Sequence, residues 1–212
     1  EFRRVLFRSA CLLSDYAALL NSKTRIHLTC PPASPYTLRA MLYDVPVNLD
    51  ERSYIIHIGA GILDRLGNLC AEAGLQGRCL IITDENVGDL YSDTAVQSLE
   101  TAGFTVDVAT LPAGEQTKCS DQVVELYSRC VEAGLDRKSF IVALGGGVIG
   151  DLAGYVAATF LRGIPFVQVP TSLLAMVDSS VGGKTGINLP AGKNLVGAFY
   201  QPELVLADLH TL

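Results

Sequence analysis

Tryptophan is absent from the 212 residues, and aromatic side chains make up only 7% of them. An aromatic binding surface is therefore a poor reading, whereas 20 glycines point to glycine-rich turns. Charged residues are scarce as well, 18% against 49% hydrophobic, which excludes a disordered chain. No stretch approaches the roughly 18–20 uninterrupted apolar residues of a membrane span. Positive charge is not in excess: the net charge is −6, which argues against a nucleic-acid backbone as partner. Cysteines stand at positions 11, 30, 70, 79, 119 and 130, but none forms a CxxC pair and none stands with histidine at zinc-finger spacing. They read as reduced, small apolar residues of a cytoplasmic protein. The length is enough for one large domain with a real core.

The charge is unevenly spread. Residues 1–40 carry a net +4 and residues 41–212 a net −10. The first 40 residues show no sustained period and contain a Pro31-Pro32 break. They read as a basic targeting arm, as an extra helix through Leu12, Tyr16 and Leu19, or as read-through sequence with Met41 as the natural start. The third reading is preferred, so 1–40 are set aside as a non-native or disordered leader and 41–212 as the domain.

From Met41 the pattern predicts a β-hairpin at 43–48 and 54–58, then a helix at 62–73 ended by Gly74. Residues 78–83 are apolar on both faces, the mark of a buried parallel strand. Further strands are expected at 104–109, 140–144 and 166–169, with helices at 92–102, around 122–130, and at 148–160. Strand and helix alternate at short spacing, which predicts an α/β fold with a Rossmann-like parallel sheet covered on both faces. Beyond residue 170 regular periodicity is lost, apart from a strand-like run at 203–207 with no closing element after it.

Gly145, Gly147 and Gly150 satisfy GxGxxG between a strand and a helix. Such glycines let backbone N–H groups approach a pyrophosphate, with the helix N-terminus adding partial positive charge; the bland reading is a tight turn with no ligand. No acid stands about 20 residues further on to hold a ribose, so Asp84, at the end of an earlier strand, is the candidate; it could equally be a helix cap. Gly182-Gly183-Lys184-Thr185 resembles the end of a P-loop, but Asp178 occupies the position where that motif needs glycine. Asp178 and Lys184 read instead as a polar substrate site, the acid holding or deprotonating a hydroxyl and the lysine an anion, or as a salt bridge across a turn. Arg162, Lys184 and Lys193 are the three cations of residues 139–212. Lys193-Asn194 is consistent with phosphate or carboxylate binding. Glu115 and Lys118 read as a possible i,i+3 surface pair, Arg162 as a helix-terminal cation, and His57 as a structural residue of the hairpin.

In order, the chain carries Pro112-Ala-Gly-Glu115 with Lys118, Gly145-Gly-Gly-Val-Ile-Gly-Asp151, Phe160-Leu-Arg162-Gly, Gln168-Val-Pro-Thr171-Ser172 running through Asp178 to Lys184 and Asn188, Gly192-Lys193-Asn194, and Gly197-Ala-Phe-Tyr-Gln-Pro202. In this series residues 41–212 resemble the N-terminal part of the 3-dehydroquinate synthase family. The resemblance implies NAD bound between a Rossmann-like domain and a helical C-terminal domain. It implies conversion of 3-deoxy-D-arabino-heptulosonate 7-phosphate, a sugar phosphate, to 3-dehydroquinate and phosphate in the shikimate pathway. It implies NAD contacts from Asp84, Glu115, Lys118, Gly147, Val148, Ile149, Gly150, Asp151, Thr171, Ser172, Lys184 and Lys193, with Thr211 and Leu212 at the edge. Asp178, Lys184 and Asn194 face substrate, and Arg162 is offered to a neighbouring subunit, which implies a homodimer. The family's divalent metal, zinc or cobalt, is held by one Glu and two His that have no match here, so no metal ligand is assigned and the stretch alone is expected not to turn over. No nucleic acid or membrane is implied. Other sugar-phosphate cyclases, NAD-dependent polyol dehydrogenases and a non-catalytic nucleotide-binding module are the alternatives.

Overall fold

The computed structural model describes residues 42–212, so the leader question and cysteines 11 and 30 lie outside the described residues. Nine strands are described: β1 (Tyr43–Val47), β2 (Tyr54–Gly59), β3 (Arg78–Asp84), β4 (Thr105–Leu111), β5 (Phe140–Gly145), β6 (Phe166–Pro170), β7 (Lys184–Leu189), β8 (Gly192–Phe199) and β9 (Leu204–Asp208). Between them lie α1 (Leu66–Glu72), α2 (Glu85–Thr101), α3 (Ser120–Glu132) and α4 (Gly147–Thr159).

Seven strands form one sheet in the order β1-β2-β9-β6-β5-β3-β4, and β7-β8 form a separate antiparallel pair. Only β1 runs antiparallel to its neighbour in the large sheet; every other pairing is parallel. The alternation of buried side chains explains the two-faced cover. Leu80, Ile82, Ile141 and Ala143 point to one side, where Val123, Leu126 and Cys130 of α3 and Leu152, Val156 and Ala157 of α4 meet them. Cys79, Ile81, Val142 and Leu144 point to the other, against Leu66, Leu69 and Cys70 of α1 and Ala95 and Leu99 of α2. Strands apolar on both faces are what such a sandwich of helices demands.

Two sequence expectations change, and the strand-like run at 203–207 gains a position in the sheet. The second helix starts at Glu85 rather than 92, because the Asp84 carboxylate accepts from the N–H groups of Asn86 and Val87 and caps it. The stretch beyond 170 is regular after all: a π-helical turn at Ala175–Ser179 is followed by the β7–β8 hairpin. The last strand is central: β9 lies between β2 and β6, so it joins the β1–β2 hairpin to the rest of the sheet. The hairpin itself is as expected, and His57 Nδ1 meets Asp44 Oδ1 of its cross-strand partner at 2.7 Å.

The end of β9 is anchored by Asp208, 2% exposed. Its Oδ1 accepts from the N–H groups of Gly61 at 2.7 Å and His210 at 2.9 Å, and its Oδ2 from Leu63 at 2.9 Å. A buried carboxylate is tolerated because three amides satisfy it. Removing it strands those amides. Asp208→Ala is therefore expected to destabilise the protein by about 3 kcal/mol, read as a shift in the urea midpoint; an unchanged midpoint contradicts this account.

Candidate functional site at the carboxyl edge of the sheet

The chain moves from β3 outward to β4, then returns to place β5 on the other side of β3. At such a reversal the loops after the two neighbouring strands diverge and leave a crevice beyond their carboxyl ends. Thr83 pairs with Leu144, so Asp84 and the Gly145-Gly146-Gly147 turn stand side by side at that crevice. Asp84 Oδ1 takes both capping bonds, which leaves Oδ2 for a ligand. The N-terminus of α4 has Gly146 as its cap and no side chain capping it, so its first-turn N–H groups face the crevice as orphan donors. Gly150 donates to the Gly146 carbonyl and Ile149 is buried in the core, so these two build the turn from behind.

The second loop arrives from β6. Thr171 N–H donates to the Gly145 carbonyl, and Ser172 Oγ accepts from Ala175 N–H at 3.3 Å at the start of the π-helical turn. That turn carries Asp178 and Ser179. A Cβ on Gly147 would lie 2.9 Å from Ser179 Oγ, so any larger residue there would have to displace the serine hydroxyl. Gly154, two turns along α4, faces Thr185 of β7 at a distance that leaves a Cβ only 2.4 Å from its Cγ2; the helix is thereby pressed against the hairpin. A cavity of about 490 Å³ opens between these parts, lined by Asp151, Asp178, Ser179, Lys184, Asn194 and Phe199 among others.

Lys118 holds the parts together. It is 4% exposed, and its Nζ donates to Asp151 Oδ2 and, at 2.6 Å, to Asn194 Oδ1. Burial pushes the Asp151 carboxyl above its usual range, opposed by the Lys118 ammonium and reinforced by Glu115 and Asp178. Lys118 and Glu115 are thus not a surface pair. Glu115 Oε1 accepts from Asn188 Nδ2 at 2.7 Å and lies 3.6 Å from Lys193 Nζ. The Asn188 bond, more than the two lysines, holds its carboxyl below the usual range. Asp178 and Lys184 form no salt bridge; both face the cavity instead. The sequence motif carries Asn188 without giving it a role, although an amide inside the β-prone run Thr185-Gly-Ile-Asn-Leu is an oddity that signals a polar duty.

Thr171 and Ser172, which follow β6, thus stand at the glycine turn. Thr211 and Leu212 follow the adjacent β9, with Thr211 buried and Leu212 exposed. Arg162 sits three residues beyond α4, with φ of 50° at Leu161 and 70° at Arg162, a left-handed pair that is costly for residues other than glycine. It does not line the cavity. Among the described residues no group of three or more His, Cys, Asp or Glu stands where it would hold a metal ion, and no helix is long and apolar enough to cross a membrane.

Lys118→Met leaves the Asp151 carboxylate buried without its counter-ion. Its carboxyl then rises further above the unfolded value, and a group raised in this way favours the fold at low pH and loses that contribution as pH rises through the folded value. The variant is expected to lose about 3 kcal/mol at about pH 8 and clearly less at about pH 5. Urea denaturation at both values checks this; a deficit independent of pH would sink it.

Residues 108–212 match the model of the 3-dehydroquinate synthase N-terminal family. The curated 3-dehydroquinate synthase of Citrifermentans bemidjiense is 59% identical over 168 residues, 79% of this chain and 46% of the relative. The chain thus spans about half the length of the curated relatives it matches. Among solved structures, a 2-deoxy-scyllo-inosose synthase complexed with carbaglucose-6-phosphate, NAD+ and Co2+ superposes with a TM-score of 0.74 at 30% identity, over 80% of this chain and 46% of that one. A 2-epi-5-epi-valiolone synthase from Streptomyces hygroscopicus with NAD+ and Zn2+ bound gives a TM-score of 0.67 at 30% identity, over 78% and 45%. With its doubly covered parallel sheet and its glycine turn at the crevice, the chain belongs to the 3-dehydroquinate synthase family and corresponds to that family's N-terminal part.

Proposed function

We propose that the chain is the NAD-binding half of a 3-dehydroquinate synthase, whose complete form converts 3-deoxy-D-arabino-heptulosonate 7-phosphate to 3-dehydroquinate and phosphate. One observation carries the reading: the glycine turn after β5 meets the turn bearing Asp178 across Gly147 and Ser179, and Ser179, with Asp151 of the helix that the glycine turn opens, lines the same polar cavity as Asp178 and Lys184. That juxtaposition provides for a dinucleotide beside a phosphorylated sugar.

The crevice fits NAD. A diphosphate finds the uncapped first turn of α4 at Gly147, Val148 and Ile149. On this reading Asp84 Oδ2 accepts from ribose hydroxyls, Glu115, Lys118, Asp151, Lys193, Thr171 and Ser172 serve the rest of the cofactor, and Thr211 and Leu212 serve its edge. Bound there, NAD supplies a transient hydride acceptor, which acidifies the C–H next to the oxidised carbon. The chain's own groups do the remainder. Asp178 holds the substrate hydroxyl and accepts its proton; Lys184, unpaired among the described residues, holds anionic oxygen. Asn194 Oδ1 accepts from Lys118 Nζ, so its Nδ2 is the hydrogen-bond donor left for a phosphate. The described residues do not fit a divalent metal, and no step is assigned to one.

Arg162 is read as serving a second copy of the chain. The 13 residues of α4 rise about 20 Å from the glycine turn, which takes Arg162 away from its own cavity. A homodimer follows from that reading. The free, buried thiols of Cys70, Cys79 and Cys130 support a cytoplasmic setting.

Phosphate release from 3-deoxy-D-arabino-heptulosonate 7-phosphate by the full-length protein, with NAD and a divalent metal added, tests the proposal. Release from glucose 6-phosphate but not from the heptulosonate would favour an inosose synthase instead. Gly147→Val is expected to weaken NAD binding by at least about a hundredfold, measured by calorimetry. Mixing inactive Arg162→Ala and Asp178→Asn proteins is expected to restore about a quarter of the activity, because only mixed dimers contain one intact site; no recovery sinks the shared site. The 212-residue chain alone is expected to bind NAD weakly and to release no phosphate.

A further inference from the structure

We propose that Asn188 is the positioning residue that sets the geometry of this site, acting on its cofactor side and its substrate side through different atoms of one amide. The inference rests on the reading of the cavity given above.

The pairing of β7 with β8 is regular from Lys184↔Phe199 to Ile187↔Val196 and then jumps to Leu189↔Gly192. The jump sets Lys193, Asn194 and Leu195 against Asn188 alone, which leaves β8 two residues longer than β7 there. A bulge of this kind bends a strand and re-aims its side chains. Asn194 absorbs the bend with φ of 55°, a left-handed conformation that asparagine tolerates better than most residues. Its N–H has lost its ladder partner, and Asn188 Oδ1 replaces it at 2.9 Å. The opposite corner of the same amide, Nδ2, donates to Glu115 Oε1 at 2.7 Å. The Asn188 backbone N–H donates to the Lys118 carbonyl at 2.8 Å. One residue thus ties the bulge to the loop between β4 and α3 at two points.

The two side-chain bonds have different targets. The Oδ1 bond holds Asn194, whose own amide lines the cavity and binds Lys118. The Nδ2 bond orients Glu115 beside Lys193, on the cofactor side. Substitutions that remove one bond and keep the other should therefore separate the two effects, whereas a residue that only supports the fold would move both together.

The test uses the full-length protein. In Asn188→Ala both bonds are lost: amide hydrogen exchange at the 192–196 segment accelerates, the Kd for NAD rises about tenfold, and the KM for the sugar phosphate rises about tenfold. Asn188→Asp keeps an acceptor for the Asn194 N–H but sets a carboxylate against Glu115. In this variant exchange at the bulge stays slow and the sugar-phosphate KM stays within about twofold, while the Kd for NAD still rises about tenfold. The proposal is overturned if Asn188→Ala leaves exchange and both constants within about twofold of the parent. It is also overturned if Asn188→Asp shifts both constants together or neither. Should Asn188→Ala not fold, Asn188→Asp alone decides by the same criterion. If the parent protein binds no NAD, the functional reading fails, and the exchange comparison still decides whether Asn188 holds the bulge.

Discussion

A lysine ammonium shut away from water has to find its oxygens inside the protein, and Lys118 does so by drawing three separately folded pieces to one point. Its own loop follows β4, Asp151 stands in the second turn of α4, and Asn194 comes from the bulge in β8. Desolvating a cation is expensive unless charge and hydrogen bonds compensate it. The same requirement that stabilises the cluster therefore fixes where the hairpin lies against the sheet. The cavity is the space left between these pieces, and Asp151 and Asn194, which satisfy Lys118, join Asp178, Ser179 and Lys184 in its polar lining.

Close backbone approach supplies the second constraint. The glycine turn after β5 and the π-helical turn after β6 touch across Gly147 and Ser179, and α4 is pressed to β7 at Gly154. Dipole and hydrogen-bonding potential at the helix N-terminus are thereby brought next to the carboxylate of Asp178 and the ammonium of Lys184. The 30% identical cyclases share the fold over about four-fifths of the chain.

Much of the sheet was legible in local pattern. The buried runs at β3, β5 and β6 declare themselves because a strand covered on both faces has no polar alternation to blur it. The helix after β3 was less so. Its first seven residues, from Glu85 to Tyr91, have half-exposed or exposed side chains, and only the Asp84 cap marks where it begins. The β7–β8 hairpin is not legible in the sequence because most of β8 is exposed and its small residues show no inward-facing stripe. The pairing of Lys118 could not be read locally either, since its partners stand 33 and 76 positions away.

What the chain determined residue by residue was its run of strands and helices, the glycine turn suited to a diphosphate, and the kinds of groups available for chemistry. These rest on local propensity, capping and backbone freedom, which act within a few residues. Tertiary structure decided which groups meet: that β9 enters the middle of the sheet, that Glu115 and Lys118 part company to serve different partners, and that Asn188 completes a bulge. Each of these depends on burial and on hydrogen-bond partners that only long-range packing brings within reach, and the energy of a buried polar group is set by those partners rather than by its neighbours in the chain.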